Sequence, residues 1–398
     1  MITLKLPKDW KYKTIGEIAQ EVSIRNDENE NLPVLSCTKH DGLVDSLKYF
    51  GRRVFSEDIS TYKVVPHGCF AYATNHIEEG SIGYQDAYVK ALISPIYTVF
   101  KTCAEIHDAY LFFLFKTELY RHIFEINTSA SVDRRGSLRW KEFSRITIPI
   151  PPVEEQKRIA KIISTWDYGI DFHDKVIFAK KKEQVFFRQK YLTGKRRIPG
   201  FNGKWQDIKL ENVLTEHGAL SSGKEEVCSV SVHKSVVNQY QHLGRVYAAA
   251  DTSNYNLVKP GDIIYTKSPT GDFPFGIIKQ SLTSSNVIVS PLYGVFTPAT
   301  FELGTIIDFY FESSVNAVNY LRPIIQKGAK NTINITNKTF LSRSLLLPCD
   351  VMEQKVIAKI ITTKREEIKL LEEIREKYKQ QKKGLMQKLL TGKTRVKA

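Results

Sequence analysis

Two stretches of this 398-residue sequence join side chains that hold phosphate with side chains that read a base edge. The first is Asp133-Arg134-Arg135-Gly136-Ser137-Leu138-Arg139-Trp140. The second, at the matching place in the other half of the chain, is Gln326-Lys327-Gly328-Ala329-Lys330-Asn331-Thr332. Arginine can donate a bidentate pair to guanine, asparagine can pair with adenine, and lysine, serine or a backbone N–H can hold phosphate. Candidate nucleic-acid contacts are therefore Arg134, Arg135, Ser137, Arg139, Lys327, Lys330 and Asn331. Weaker candidates are Asn75 and His76 in Thr74-Asn75-His76, Lys267 and Ser268 in Lys267-Ser268-Pro269-Thr270, and the pair Arg52 and Arg53. The competing reading of each is a solvated loop.

Catalytic chemistry has no comparable signal. Thr391-Gly392-Lys393-Thr394 resembles the end of a phosphate-binding loop, but Gln387 stands where its first glycine belongs. The sequence holds no glycine-rich dinucleotide loop after a strand, no His-Glu-x-x-His and no Asn-Pro-Pro-aromatic motif. Its histidines, among them His40, His67 and His76, occur singly in loop-like stretches. Cys37, Cys69, Cys103, Cys228 and Cys349 are widely separated, which reads as buried thiols rather than a zinc knuckle or a disulfide framework. The expectation is a chain with no cofactor, no metal and no catalytic residue of its own.

The elements that must position the basic loops are set by an internal repeat. Glu155-Gln156-Lys157 returns as Glu353-Gln354-Lys355, Ala160-Lys161-Ile162-Ile163 as Ala358-Lys359-Ile360-Ile361, and Leu192-Thr193-Gly194-Lys195 as Leu390-Thr391-Gly392-Lys393. Each pair is offset by the same number of positions, so no gap opens, as expected of a continuous rod and not of loops. Pro152, Glu154 and Glu155 suit a first helical turn, Asp350 and Glu353 stand at capping-box spacing, and Gly194 and Gly392 suit helix stops. A helix of about 40 residues is a rod of roughly 60 Å.

Apolar residues at spacings of three, four and seven form a seam on each rod. On the first it runs through Ile159, Ile163, Trp166, Ile170 and Ile177, and on the second through Ile357, Ile361, Ile368, Leu371, Ile374 and Tyr378. Such a rod is longer than one globule needs. The favoured reading pairs the two rods antiparallel; the alternative packs each on its own globule.

The stretches between the rods are also distant copies. Each begins near a tryptophan, Trp10 or Trp205, and Ser94-Pro95-Ile96-Tyr97-Thr98-Val99-Phe100 matches Ser290-Pro291-Leu292-Tyr293-Gly294-Val295-Phe296. Strands are expected in Tyr62 to Tyr72 and Tyr255 to Tyr265, helices in Ala109 to Phe124 and Gly304 to Leu321, and a last strand in Phe143 to Ile150 and Phe340 to Leu347. The expected order is a globule at 1–150, a rod at 151–198, a globule at 199–347 and a rod at 348–398. The fold class is α+β, with two α/β globules and an antiparallel coiled coil related by a pseudo-twofold axis.

The net charge of +15 is concentrated in the rods. Residues 151–198 carry 12 basic and 6 acidic side chains and 348–398 carry 14 and 7, whereas 1–150 balance at 19 each and 199–347 hold 13 against 11. No stretch approaches the ~18 uninterrupted apolar residues of a membrane span, so the cytoplasm is the expected location.

The Pro-x-x-Glu-Gln-Lys-x-Ile-Ala-x-Ile-Ile start of the first rod, its partial repeat in the second, the Leu-Thr-Gly-Lys ends and the two dissimilar globules together resemble the specificity subunit of type I restriction-modification systems. The second copy departs at its start, with Pro348-Cys349-Asp350-Val351-Met352 in place of Ile150-Pro151-Pro152-Val153-Glu154. The resemblance implies a non-catalytic reader of double-stranded DNA with a bipartite target, one half-site per globule. It further implies that the rods set the spacer and dock two methyltransferase subunits that carry S-adenosylmethionine, with ATP-hydrolysing restriction subunits joining that core. An alternative is the recognition portion of a single-chain restriction-methylation enzyme. A third is a coiled-coil scaffold whose globules bind protein.

Overall fold

The computed structural model describes residues 6–39, 41–128, 136–194, 196–240, 251–327 and 333–396. The chain divides into two compact units, one of residues 1–174 with 374–398 and the other of residues 175–373. Each long helix therefore contributes one part to each unit. The first helix is Val153–Tyr191 and the second Val351–Leu389, 39 residues each.

In the first unit an antiparallel four-stranded sheet runs in the order Ala19–Glu21, Tyr97–Thr102, Cys69–Ala73, Ile82–Gln85. Alternating residues of its strands, Phe70, Tyr72 and Phe100, put their rings into the core, where Phe70 and Phe100 stack with centroids 5.1 Å apart. Lys11–Thr14 pairs antiparallel with Thr147–Ile150, and the latter leads the chain into the first long helix. The second unit repeats this plan. Its sheet runs Leu214–Glu216, Gly294–Pro298, Ile263–Tyr265, Ile278–Gln280, and Gln206–Lys209 pairs with Ser344–Leu347.

The expected helices Ala109 to Phe124 and Gly304 to Leu321 are each two helices. Thr117 and Ser313 interrupt them because their hydroxyls accept from the backbone N–H of Tyr120 and Asn316, which starts a new helix. The expected last strands also open differently, with a helical turn at Trp140–Phe143 and at Asn337–Leu341 before the strand. That turn sends Phe143 and Phe340 into the aromatic cores. Among the cysteines Cys69 and Cys228 are buried and Cys37 is partly so, but Cys103 and Cys349 are exposed because each lies just past the end of a strand. Among the described residues no helix is long and apolar enough to cross a membrane.

Both helix stops behave as their glycines require. Gly194 and Gly392 have φ of +67° and +72°, the left-handed conformation that ends a helix cheaply only at glycine. A Cβ on Gly392 would lie 2.7 Å from Pro7, and one on Gly194 would lie 2.8 Å from Leu346.

Candidate nucleic-acid interface

The repeated Glu-Gln pair at each helix start builds the frame that carries the basic loops. In the first unit the carboxylate of Glu155 accepts from the indole N–H of Trp10 at 3.0 Å, from Nε and Nη2 of Arg395 at 2.8 Å each, and from the N–H of Val396 at 3.2 Å. Burial pushes this carboxyl up, and the hydrogen bonds from Arg395, Trp10 and Val396 outweigh it, so the net displacement is below the ordinary carboxylate range. The second unit repeats the closure, with Glu353 accepting from Trp205 Nε1 at 3.2 Å and from Arg197 Nε at 2.9 Å.

The neighbouring glutamine ties the helix to the sheet. Gln156 donates to Pro151 O and Glu105 O and accepts from the His107 N–H; Gln354 donates to Pro348 O and accepts from Thr300. Both pairs of side chains are buried, so the most recognisable motif in the sequence is a fastener and not an exposed contact surface. Asp350 caps its helix, its Oδ1 accepting from the N–H of Met352 and Glu353, but Glu353 turns to Trp205 and Arg197 rather than completing the capping box.

The long helices run antiparallel in both units. In the first, Asp167 meets Lys382 and Asp174 meets Arg375 at 2.8 Å; in the second, Lys180 meets Glu367 at 2.7 Å and Glu183 meets Lys364 at 2.5 Å. Exposed pairs of this kind contribute about 0–1 kcal/mol each, so they fix register more than stability. Of the seam residues, Ile159 and Ile163 lie in the first unit's core together with Leu389 and Leu390, and Ile357 and Ile361 lie in the second unit's core. Trp166 meets Tyr378 edge-on at 5.6 Å, Ile368 is buried, and Ile170 and Leu371 are half-buried.

On this frame two of the basic patches of the first unit come together. The Leu138 N–H donates to Thr74 O at 2.8 Å, and Leu138 is fully buried. Its anchoring sets Ser137 and exposed Arg139 beside the turn that holds half-buried Asn75 and exposed His76. Arg134 and Arg135, the strongest candidates by residue type, lie outside the described residues, as do Lys330 and Asn331; Lys327 is placed only as backbone of the short strand Gln326–Lys327. His76 stands 3.4 Å from Glu79, and its ring, Glu78 and Glu79 cluster within 4.8 Å, which opposes a phosphate contact there. Arg53 is engaged inside its own loop, donating to Ser56 O and Glu57 O and lying 4.9 Å over the Phe55 ring, while Arg52 is exposed.

In the second unit Lys267 holds a left-handed backbone, φ +58°, at the edge of a cleft of about 130 Å³ lined also by Glu216, His217, Tyr293 and Asn337. Burial lowers its ammonium below the ordinary lysine range, and Glu216 partly offsets this. Ser268 beside it is exposed. Asn337 donates to Glu216 Oε1 at 2.6 Å, and Gly294 makes room for it, since a Cβ there would lie 2.6 Å from Asn337 Oδ1. Glu216 and Asn337 were not singled out from the sequence, because a carboxylate becomes a fixed acceptor only once its partner, distant in the chain, is known.

The comparisons with known proteins bear on the chain as a whole. Residues 7–178 match the family model "Type I restriction modification DNA specificity domain". Over 99% of its length the chain is 22% identical to the MjaX specificity subunit assigned to a type I restriction enzyme of Methanocaldococcus jannaschii, 95% of which is covered. The chain is thus similar to type I restriction enzyme specificity subunits along nearly its whole length, and the family model matches its first part. A second relative, the MjaVIII type I restriction enzyme specificity subunit of the same organism, is 27% identical over 65% of this chain and 64% of its own length. Two solved structures share this chain's fold. One, from work on complex assembly and conformational transition of the type I system, has a TM-score of 0.58 at 14% identity and covers 98% of this chain and 100% of its own. The other is the S subunit from M. genitalium, with a TM-score of 0.55 at 10% identity and 98% of both chains covered.

Proposed function

We propose that this chain is the specificity subunit of a type I restriction-modification system, that it reads a bipartite DNA target, one half-site through each repeated globule, and that it performs no catalytic step itself. The observation that carries the reading is the duplicated frame: the same sheet order, the same Trp–Glu–Arg closure, and a basic stretch placed just before the last strand in both copies. The globules correspond to residues 1–150 and 199–347 and the spacer helices to 151–198 and 348–398. Phosphate contacts from Arg and Lys orient a protein on the duplex, and a few side chains at base edges give the sequence. Half-sites about one helical turn apart fit within the span of one such helix, roughly 60 Å.

The long helices hold two methyltransferase subunits, which bring S-adenosylmethionine and modify adenine, and restriction subunits join through that core. The work is done in the cytoplasm, where the DNA is. None of these small ligands is bound by this chain.

Genome-wide mapping of methylated adenines in cells with and without the chain tests the reading. A single two-part motif that depends on the chain is expected, and a methylation pattern indifferent to it overturns the assignment. Arg134→Ala or Arg135→Ala relaxes one half of the motif and Lys327→Ala or Asn331→Ala the other, each costing about 1–3 kcal/mol of discrimination where a base contact is lost. Unchanged motifs in all four variants would sink the site assignment and leave the fold untouched.

A further inference from the structure

The cleft of the second unit holds two opposite charges that do not meet. Glu216 and Lys267 both line it and Glu216 acts on the Lys267 ammonium, yet among the described residues that ammonium makes no ion pair and no hydrogen bond. Lys267 keeps a left-handed backbone that a residue with a side chain adopts only at a cost, and Gly276 lets the chain close under it, since a Cβ there would lie 2.8 Å from Lys267 N. Asn337 holds Glu216 from the other side. Its Nδ2 donates to Glu216 Oε1 at 2.6 Å, while its Oδ1 is buried beside Gly294 with no partner among the described residues. A strained lysine and an unpaired buried carbonyl are features that a fold keeps where a site needs them. The His217 nitrogens are already taken, by Asp262 at 3.0 Å and the Ala219 N–H at 3.1 Å, so that ring is wall and not contact.

The repeated frame says where this cleft lies. Lys267 stands two residues past Tyr265 as Thr74 stands two past Tyr72, and Thr74 is where the first unit anchors its basic stretch. Glu216 likewise matches Glu21, and Asn337 matches Trp140. The Trp140 ring packs on Phe100 at 5.7 Å, so the carboxylate is common to both copies while the lysine and the asparagine belong to the second alone. A ligand that joins the two charges must offer a donor to one and an acceptor to the other. Phosphate brings acceptors only, and Glu216 repels it. A base edge in the major groove brings both: the exocyclic amine of cytosine or adenine donates, and guanine O6 across the pair or adenine N7 beside it accepts. We propose that this cleft reads one amino-bearing base of the second half-site, with Glu216 accepting from the amine, Lys267 donating to the neighbouring acceptor and Asn337 as the positioning residue for Glu216. This rests on the reading that the second globule meets a half-site.

The test maps methylated adenines in cells whose system carries the wild-type or a variant chain. Glu216→Ala and Lys267→Met should each lower discrimination at one shared position of the second half-site by at least ~10-fold, with the first half unchanged. Glu216→Gln keeps the shape and adds an amide donor, so it should admit guanine or thymine at that position, and Asn337→Ala should relax the same position less. With the purified complex, removing the amine from the DNA there, as purine for adenine or 2-pyrimidinone for cytosine, should weaken binding by the wild type ~10-fold and by Glu216→Ala not at all. A motif unchanged in Glu216→Ala, Glu216→Gln and Lys267→Met overturns the inference. So does a loss spread evenly over all sequences with a shallower salt dependence, which is what a phosphate contact gives. A wild-type chain whose map holds no two-part motif overturns the parent reading together with this one.

Discussion

The two units share a frame but fasten the long helices to it by different chemistry. In the second unit Asp308 and Glu312, on the helix Phe301–Phe311 and at its end, receive Arg365 at 2.7 and 2.5 Å, and Arg188 also reaches Glu312. Both guanidiniums lie over Phe309, at 4.4 and 5.6 Å, with Lys279 3.9 Å from Asp308. Burial lowers Arg188; it acts on Arg365 too, but there Asp308 and Glu312 outweigh it and hold the group above its ordinary range. The first unit has Phe112 and Lys116 where the second has Asp308 and Glu312, and Met386 where it has Arg188. There Leu385 and Met386 pack on the apolar core, and the cations lie over rings and not on buried carboxylates, Lys382 5.4 Å over Phe113 and Lys116 5.4 Å over Phe112. The closure around Glu155 and Glu353 is kept in both copies while the seam beside it has changed. Closure geometry tolerates little variation because an indole and two guanidinium donors converge on one buried carboxylate in each copy, whereas a seam can be filled by methylenes or by a compensated ionic cluster.

The largest effect that would break this comparison is expected from Asp308→Ala. It leaves Lys279 without its buried counter-charge and Arg365 with Glu312 alone, at a cost of about 3 kcal/mol, read as faster hydrogen exchange in the second unit with the first unchanged. Asp308→Leu combined with Arg365→Met, which imitates the apolar seam, should recover most of the loss; failure to recover it would mean that the cluster is more than a substitute for packing.

Next come Glu155→Gln and Glu353→Gln. Each removes the charge that two arginine nitrogens and an indole N–H address, and each should cost about 2 kcal/mol in its own unit. Similar losses measured by thermal unfolding support an equivalent closure in the two copies, and a loss in only one would break the equivalence.

The smallest effect is on pH. Because the folded Glu155 carboxyl lies below its ordinary range, its stabilising contribution is present in full above the unfolded value of about 4.3. It is lost as pH falls through the lower folded value. Acid should therefore loosen the segment around Arg395 and Val396, seen as hydrogen exchange rising there, and Glu155→Gln should abolish that dependence.

Much of this architecture was legible in the chain. A gapless repeat predicts two equal helices because a helix register cannot absorb an insertion, and Gly194 and Gly392 predict their ends because a left-handed residue is needed there. The interrupted helices at Thr117 and Ser313 were harder to read, since a hydroxyl that caps one helix also fits within another when only spacing is considered. The seam was legible as apolar spacing, but not that Ile159, Ile163, Ile357 and Ile361 enter globule cores, because a stripe of isoleucine does not say which apolar surface will cover it. For the candidate site, the basic loops stood out by composition. That Leu138 pins one of them against Thr74, or that Asn337 holds Glu216, depends on residues 64 and 121 positions apart.

What the sequence by itself determined was the repeat, the helices and their ends, and the basic residue types in the candidate loops. These follow from local backbone preference and from pattern. Tertiary structure alone decided what the repeated glutamate does. A carboxylate at a helix start is ordinarily a solvated partner of the helix dipole, and only folding buries Glu155 against Trp10 and Arg395, and Glu353 against Trp205 and Arg197. The physical reason is that a buried charge needs several donors at once, and these come from segments that meet only when the chain is folded.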